Sequence, residues 1–404
     1  RPVLRCREIR PVVLDGPLVL NDQQQVAFEG LLGQMKREDP GVALLYGVTG
    51  SGKTEVYMEM IDQVIAEGKE AIVLIPEIAL TYQTVVRFYR RFGNLVSVVN
   101  SKLSKGEKYD QFKRAENGEI KIMIGPRTAL FTPFRKLGLI IIDEEHEGSY
   151  KSDTMPRFHA RETAEQIAGM KHAALVLGSA TPSLEAYYRA KVGRYQLFTL
   201  KNRAASSYLP TVYTVDLREE LKRGNRSIFS DRLREAIADR LDKKQQVMLF
   251  LNRRGYAGFV SCRACGYVVK CPHCDVSLTH HFGNKMGKAG RLVCHYCGYE
   301  TAEVIRCPKC SSKYISGFKA GTEQIEQKLK EEFPMAKVLR MDGDTTKRKD
   351  DYEKILSAFS NEEADILVGT QMIVKGHDFK KVTLMGILAA DVSLGVSDYR
   401  ASER

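Results

Sequence analysis

Apolar residues fall into two patterns along this chain, and their alternation predicts the architecture. Short continuous apolar runs recur at residues 42–46, 71–76, 95–99, 120–125, 137–142 and 174–178. Runs of that length without polar alternation suit strands buried on both faces of a parallel sheet. Between them lie segments with apolar residues at helical spacing, residues 55–67 among them. Strand and helix in turn predict an α/β lobe. A second alternating set at 212–216, 246–252, 337–341, 365–369 and 384–389 predicts another such lobe, with 201–210 as linker. Residues 347–359 read as a charged amphipathic helix whose charges face solvent. A chain of 404 residues is too long for one core, in keeping with two or three domains.

Two strand ends carry candidate chemistry. Gly47-Val48-Thr49-Gly50-Ser51-Gly52-Lys53-Thr54 follows the first run and opens a helix, as G-x-x-x-x-G-K-[ST] requires. In that loop Gly50, Ser51 and Gly52 offer backbone N–H groups to phosphates, Lys53 reaches the β/γ-phosphates and the Thr54 hydroxyl ligates Mg²⁺. The run 137–142 delivers Asp143-Glu144-Glu145-His146 at its carboxyl end, where ligands bind in open α/β sheets. Asp143 is the expected holder of Mg²⁺, and Glu144 the group that orients and deprotonates the attacking water. ATP hydrolysis is the predicted reaction.

A net charge of +12 favours a polyanionic partner. No apolar stretch approaches the ~20 residues a bilayer span needs, and the N-terminus lacks a signal-peptide core, so no membrane role and a cytoplasmic location are expected. Eight of the nine cysteines form four C-x-x-C pairs, Cys262/Cys265, Cys271/Cys274, Cys294/Cys297 and Cys307/Cys310, a pattern that predicts two four-thiolate zinc sites. The 19 residues between Cys274 and Cys294 favour the inner four around one ion and the outer four around another, while pairing of sequential neighbours stays open. His273, His280, His281 and His295 are read as facing solvent, and Cys6 as an inert thiol. The insertion, residues 261–312, is too poor in apolar residues to fold without metal.

The residues together resemble the superfamily 2 DNA helicases of primosomal replication restart, the PriA family. Carrying the resemblance are Leu20-Asn21-Asp22-Gln23-Gln24, the phosphate loop, Pro76 through Thr81, Gly125 through Phe131, the DEEH segment, Gly178-Ser179-Ala180-Thr181-Pro182, Phe250 through Tyr256, the cysteine array, Gly369-Thr370-Gln371-Met372, and Lys375 through Phe379. It implies two RecA-like lobes, 20–200 and 201–404, the zinc insertion in the second, and residues 1–19 as the tail of a DNA-binding region. It further implies that Gln24 reads adenine, that Thr181 couples ATP state to lobe movement, that an aromatic loop from Tyr150 to Phe158 and His159 stacks on bases, and that the zinc ligands nest. Lys285, Lys288 and Arg291 in the hairpin would meet DNA or merely solubilise its tip.

Implied too are 3′-to-5′ unwinding driven by ATP bound between the lobes, forked and single-stranded DNA as substrate, single-stranded DNA-binding protein and primosome or helicase-loader proteins as partners, and a monomeric state. Asn100 before Ser101, and Lys319-Ala320 before Gly321, depart from the family pattern. The chain starts without Met and stops at Arg404 before the family's arginine-bearing motif, so a fragment with weak hydrolysis and unwinding of its own is expected. Two other readings fit the same motifs: an RNA- or chromatin-type remodelling ATPase that does not separate strands, and an ATP-switched zinc-ribbon scaffold that recruits replication partners.

Overall fold

The computed structural model describes residues 16, 19–77, 82–101, 103–204, 210–251, 259–281, 290–317, 321–346, 351–373, 379–393, 400 and 403. The chain forms two compact units, Arg1–Pro210 and Thr211–Arg404. In the first, β1 (Val42–Gly47), β2 (Glu70–Leu74), β3 (Val96–Val98), β4 (Ile122–Gly125), β5 (Leu137–Asp143), β6 (Ala174–Ser179) and β7 (Gln196–Leu200) make one sheet in the order β3-β4-β2-β5-β6-β1-β7. All of its pairings are parallel.

Helices cover both faces, which is why the central strands are almost wholly apolar. They are α1 (Asp22–Met35), α2 (Lys53–Ala66), α3 (Tyr82–Phe92), α4 (Lys105–Glu116), α5 (Ala160–Lys171) and α6 (Leu184–Lys191). Strand β2 is buried at every position. Its Ala71 and Val73 join a core with Leu45 and Ile141 under α1, α2 and α3, while Ile72 and Leu74 join Leu44, Ile140 and Ile142 against α5. Capping boxes start α1 (Asn21 with Gln24) and α4 (Ser104 with Glu107), satisfying amides that the first turn leaves open. Parallel register brings the carboxyl ends of β1, β6 and β5 side by side, Tyr46 beside Ser179 and Asp143 beside Gly178. The two candidate segments therefore meet at one edge of one sheet.

The second unit holds a four-stranded parallel sheet of β8 (Gln246–Leu251) with three later strands and, between them in sequence, a small antiparallel insertion. The insertion pairs β9 (Val260–Cys262) with β13 (Ile315–Gly317), and β10 (Thr279–His281), β11 (Arg291–Val293) and β12 (Glu300–Ala302) with one another. The sheet is completed by β14 (Val338–Met341), β15 (Ile366–Gly369) and β16 (Val382–Leu388) in the order β14-β15-β8-β16. Its helices are α7 (Leu217–Lys222), α8 (Asp231–Asp242), α9 (Thr322–Glu332) and α10 (Asp351–Ser360). Ile237, Ile325 and Leu329 cover one face of the sheet, and Phe359 belongs to the core on the other. No helix among the described residues is long and apolar enough to cross a membrane.

Two elements differ from expectation. The run 212–216 forms no strand: Val212 is 82% exposed and Tyr213 62%, and Asp216 instead caps α7 by accepting from the Arg218 N–H. No strand among the described residues pairs with it, and Tyr213 lies under the Arg232 guanidinium. Strand β7 was not foreseen, because an edge strand buries one face only.

A candidate nucleotide site and two cysteine clusters

The phosphate loop leaves β1 and turns into α2 through Gly50 and Gly52, both left-handed, with φ of +77° and +82°. A side chain on Gly52 would overlap the Gln24 amide as well as strain the backbone. Gln24 is buried; its Nε2 donates to the Ser51 carbonyl at 3.0 Å and its Oε1 accepts from the Asn21 N–H at 2.8 Å. Both groups of that amide are thus engaged in holding the loop against the start of α1. The Lys53 ammonium lies across the loop, donating to the Gly47 carbonyl at 2.8 Å. Lys53 and Thr54 occupy the first turn of α2, whose N–H groups lack intrahelical partners and point to an anion.

The segment after β7 closes the loop from outside. Val48 N–H donates to Leu200 O at 3.1 Å and Ala204 N–H to Gly50 O at 2.8 Å. The Gln23 carboxamide oxygen accepts from the Lys201 and Asn202 N–H groups at 2.9 and 3.3 Å. Residues 201–204, read from sequence as the start of a linker, form a strap over the phosphate loop.

Asp143 ends β5 beside this site and is half-buried. Burial first, then the neighbouring Glu144 carboxylate, pushes its carboxyl up to about 6, against the opposing pull of Lys53 and the Tyr57 hydroxyl. Tyr57 donates to Asp143 Oδ1 at 3.1 Å, and its ring reaches there only because residue 178 is glycine. Tyr150 Oη lies 2.7 Å from Asp143 O and 3.0 Å from Leu74 O. Its ring is therefore core, 1% exposed, and does not offer the base-stacking face expected from sequence. Phe158 packs edge-on against Phe131.

Glu144 adopts a left-handed backbone, φ +50°, and its carboxylate lies 3.6 Å from His146 Nε2. His146 Nδ1 is 2.7 Å from Ser179 Oγ, Thr181 N–H donates to that same oxygen at 3.0 Å, and Thr181 Oγ1 sits 3.5 Å from His146 Nε2. A polar chain thus runs from Glu144 through His146 to Ser179 and Thr181. The sequence alone gives His146 no role; a histidine two residues past Glu144 was the available signal.

In the second unit the eight cysteines gather as Cys262, Cys265, Cys307 and Cys310, and as Cys271, Cys274, Cys294 and Cys297, with the sulfurs of each group within 4.8 Å of one another. The Sγ atoms of Cys262 and Cys310, of Cys265 and Cys307, and of Cys271 and Cys297 are 3.6 Å apart. Four thiolates about 2.3 Å from a tetrahedral zinc ion would lie about 3.8 Å from one another, so both groups fit that ion. The nested grouping is the one observed. Each pair builds the same turn: the N–H four residues on donates to the first cysteine's carbonyl, at 2.8 Å for Gly266, 3.0 Å for Asp275, 2.9 Å for Gly298 and 2.8 Å for Ser311. All four of those residues are left-handed. Cys262, Cys271, Cys294 and Cys307 are buried and form much of the insertion's core with Val260, Leu278, Leu292 and Ile315.

His273, His281 and His295 are exposed, as the solvent-facing reading expects, and His280 departs from it. His280 is 4% exposed with Nε2 3.2 Å from Glu303 Oε1, and the rings of His281 and His295 pack edge-on. Arg291 pairs with Glu300 at 2.8 Å, and the Asn100 side chain accepts from Leu103 N–H at 3.2 Å. Cys6, residues 78–81, 252–256, Lys285, Lys288, Lys319, Ala320 and 375–378 lie outside the described residues.

Comparison with known proteins bears on all of these features. A family model described as "Type III restriction enzyme, res subunit" matches residues 17–184, one described as "PriA DNA helicase Cys-rich region (CRR) domain" matches 271–301, and "Helicase conserved C-terminal domain" matches 311–401. The chain is 52% identical over 389 residues to the replication restart protein PriA of Bacillus subtilis, covering 96% of this chain and 48% of that protein. Against the Synechocystis protein of the same name it is 48% identical over 368 residues, covering 89% and 44%. The chain spans about half the length of the curated relatives it matches. Among solved structures, RecG bound to a three-way DNA junction aligns with a TM-score of 0.50 at 18% identity over 91% of this chain and 38% of that one. DUF1998 helicase MrfA bound to DNA gives 0.51 at 14% over 91% and 44%, and Mss116p bound to single-stranded RNA gives 0.50 at 13% over 91% and 67%. At those identities the likeness is one of fold.

Proposed function

The chain belongs, over the half of their length that it spans, to the family of the replication restart protein PriA, and on that premise we propose that it carries the ATP-driven motor of a DNA helicase acting at stalled or branched forks. The observation that carries the reading is the meeting, at one sheet edge, of a phosphate loop with a half-buried aspartate and a glutamate wired to Ser179 and Thr181.

Gly50, Ser51, Gly52, Lys53 and Thr54 would bind the ATP phosphates, with Gln24 bracing the loop and adenine contact by Gln24 as the family's expectation. Mg²⁺, held by Thr54 and Asp143, would supply charge neutralisation on the phosphates. Asp143 must be ionised for that task, and Tyr57 fixes its orientation. Glu144 takes a proton from the attacking water, and the His146–Ser179–Thr181 chain relays the state of that carboxylate to the turn after β6. The eight cysteines would hold two Zn²⁺ ions that fold the insertion.

Unwinding with 3′-to-5′ polarity, primosome assembly with single-stranded DNA-binding protein and helicase-loader partners, a monomeric state and a cytoplasmic location complete the proposal. The nearness in fold of both DNA- and RNA-bound proteins makes the nucleic acid itself a point to test. Steady-state ATP hydrolysis is to be compared without nucleic acid, with forked DNA and with RNA of matched sequence, for the unaltered protein and for Glu144→Gln. Strong stimulation by DNA alone, abolished in Glu144→Gln, is expected. Equal stimulation by RNA would replace the helicase reading with a general nucleic-acid ATPase, and primosome assembly that survives Lys53→Ala would favour the scaffold.

A further inference from the structure

The third residue of the DEEH turn, Glu145, points away from the nucleotide site into the protein. It is 2% exposed, as are Arg161 at the start of α5 and Ser183, the N-cap of α6. Its Oε1 accepts from the Ser183 N–H at 2.6 Å, and its Oε2 from Arg161 Nη1 at 3.1 Å and Ser183 Oγ at 3.0 Å. Arg161 Nη1 also donates to Ser183 Oγ at 2.7 Å. One carboxylate therefore fastens the turn after β5 to α5 and to the segment that carries Ser179 and Thr181.

Such a pair is a poor device for stability alone. Desolvating two charges offsets most of their attraction, and apolar replacements are often no worse. Arg161 Nε, moreover, has no hydrogen-bond partner among the described residues. What the pair does hold is geometry. Glu144, immediately before it, has the left-handed backbone that non-glycine residues avoid. Glu145 N–H donates to Gly178 O at 3.1 Å and Glu147 N–H to Glu144 O at 2.8 Å, so the strained residue is clamped on its C-terminal side. The Tyr150 hydroxyl, at the Asp143 carbonyl, clamps the other.

We infer that Glu145 and Arg161 are positioning residues for ATP hydrolysis, fixing Glu144 against the attacking water and tying that position to the Ser179–Thr181 turn through Ser183. This rests on the hydrolytic reading of Glu144 above. Their hydrogen bonds go to one another, Ser183, Gly178 and His159 rather than to the phosphate loop, so binding and chemistry should separate when the clamp is broken. A displacement of about 1 Å at a reacting group costs as much as a hundredfold in rate.

The test measures kcat, KM for ATP and the thermal unfolding midpoint of the DNA-stimulated protein with Glu145→Gln, Arg161→Met, the two combined, and Glu144→Gln as reference. Each single change leaves a buried charge or polar group badly matched and lowers the midpoint; the combined variant removes both charges and recovers part of it. The expected result is a kcat reduced by about tenfold to a hundredfold in all three, with KM within about threefold, and no recovery of kcat in the combined variant. If kcat recovers together with the midpoint, the pair is merely structural and the inference is wrong. Unchanged kcat in Glu145→Gln, with hydrolysis lost in Glu144→Gln, likewise overturns the positioning role alone. Hydrolysis that survives Glu144→Gln overturns the hydrolytic reading and the positioning role with it.

Discussion

Gly178 and Tyr57 share one space, and Asp143 depends on the arrangement. A Cβ at position 178 would overlap the Tyr57 hydroxyl, which donates to Asp143 Oδ1. Gly178→Ala is expected to destabilise the protein by about 1–3 kcal/mol, as overpacking does. Tyr57→Phe in that background should return part of the stability and none of the activity, measured by denaturant unfolding beside ATP hydrolysis. Asp143 itself sets a pH dependence. Its carboxyl is raised from 3.8 to about 6 in the folded state, so between those values the folded form binds more protons than the unfolded one. Stability from this group is fully present below the lower value and lost as pH rises through the upper. Unfolding midpoints followed across that window should slope downward with pH, and Asp143→Asn should flatten the slope. In the same window the apparent affinity for Mg²⁺ with ATP should weaken toward acid, since the cation competes with a proton.

At the scale of elements, the four cysteine turns are one design executed with two kinds of residue. Gly266 and Gly298 take the left-handed position freely, whereas Asp275 and Ser311 bear its strain. Ser311→Gly should therefore slow the loss of metal to a chelator, and Gly266→Ala should speed it, each by an amount equivalent to about 1 kcal/mol. Zinc release monitored by a colorimetric indicator would decide. Two of these turns, at 262–266 and 294–298, were legible from sequence because C-x-x-C-Gly carries its geometry in five adjacent residues, and the other two through their C-x-x-C spacing alone. So were β1, β5 and β6, whose uninterrupted apolar runs admit few alternatives. Legibility failed where meaning lay in a neighbour: β7 hides its strand signal in one exposed face, and 212–216 imitates a strand that no described strand pairs with. Contacts such as Tyr57 with Asp143, 86 residues apart, or Ser183 with Glu145, 38 apart, leave no spacing signature at all.

For the whole molecule, the two units differ in what holds them. The first is one sheet packed on both faces by aliphatic side chains, while the insertion of the second counts thiols among its core residues. Removing metal should unfold the insertion's described residues, 259–281 and 290–317, and leave the first sheet and the β14-β15-β8-β16 sheet protected. Amide hydrogen exchange before and after chelation checks this: protection lost uniformly through both sheets would show that the metals support more than the insertion.

The strap over the phosphate loop has a mechanical side as well. Strand β7 runs parallel to β1 with five residues in register, and Ala204 is moored to Gly50 beyond it. Tension applied along the chain at Pro210 would load those bonds together, in shear, instead of peeling them singly. A pull on the chain leaving the first unit would then be felt first at the loop proposed to bind the phosphates. Ala204→Pro, which removes the mooring N–H, should let the strap slip at lower force in single-molecule stretching.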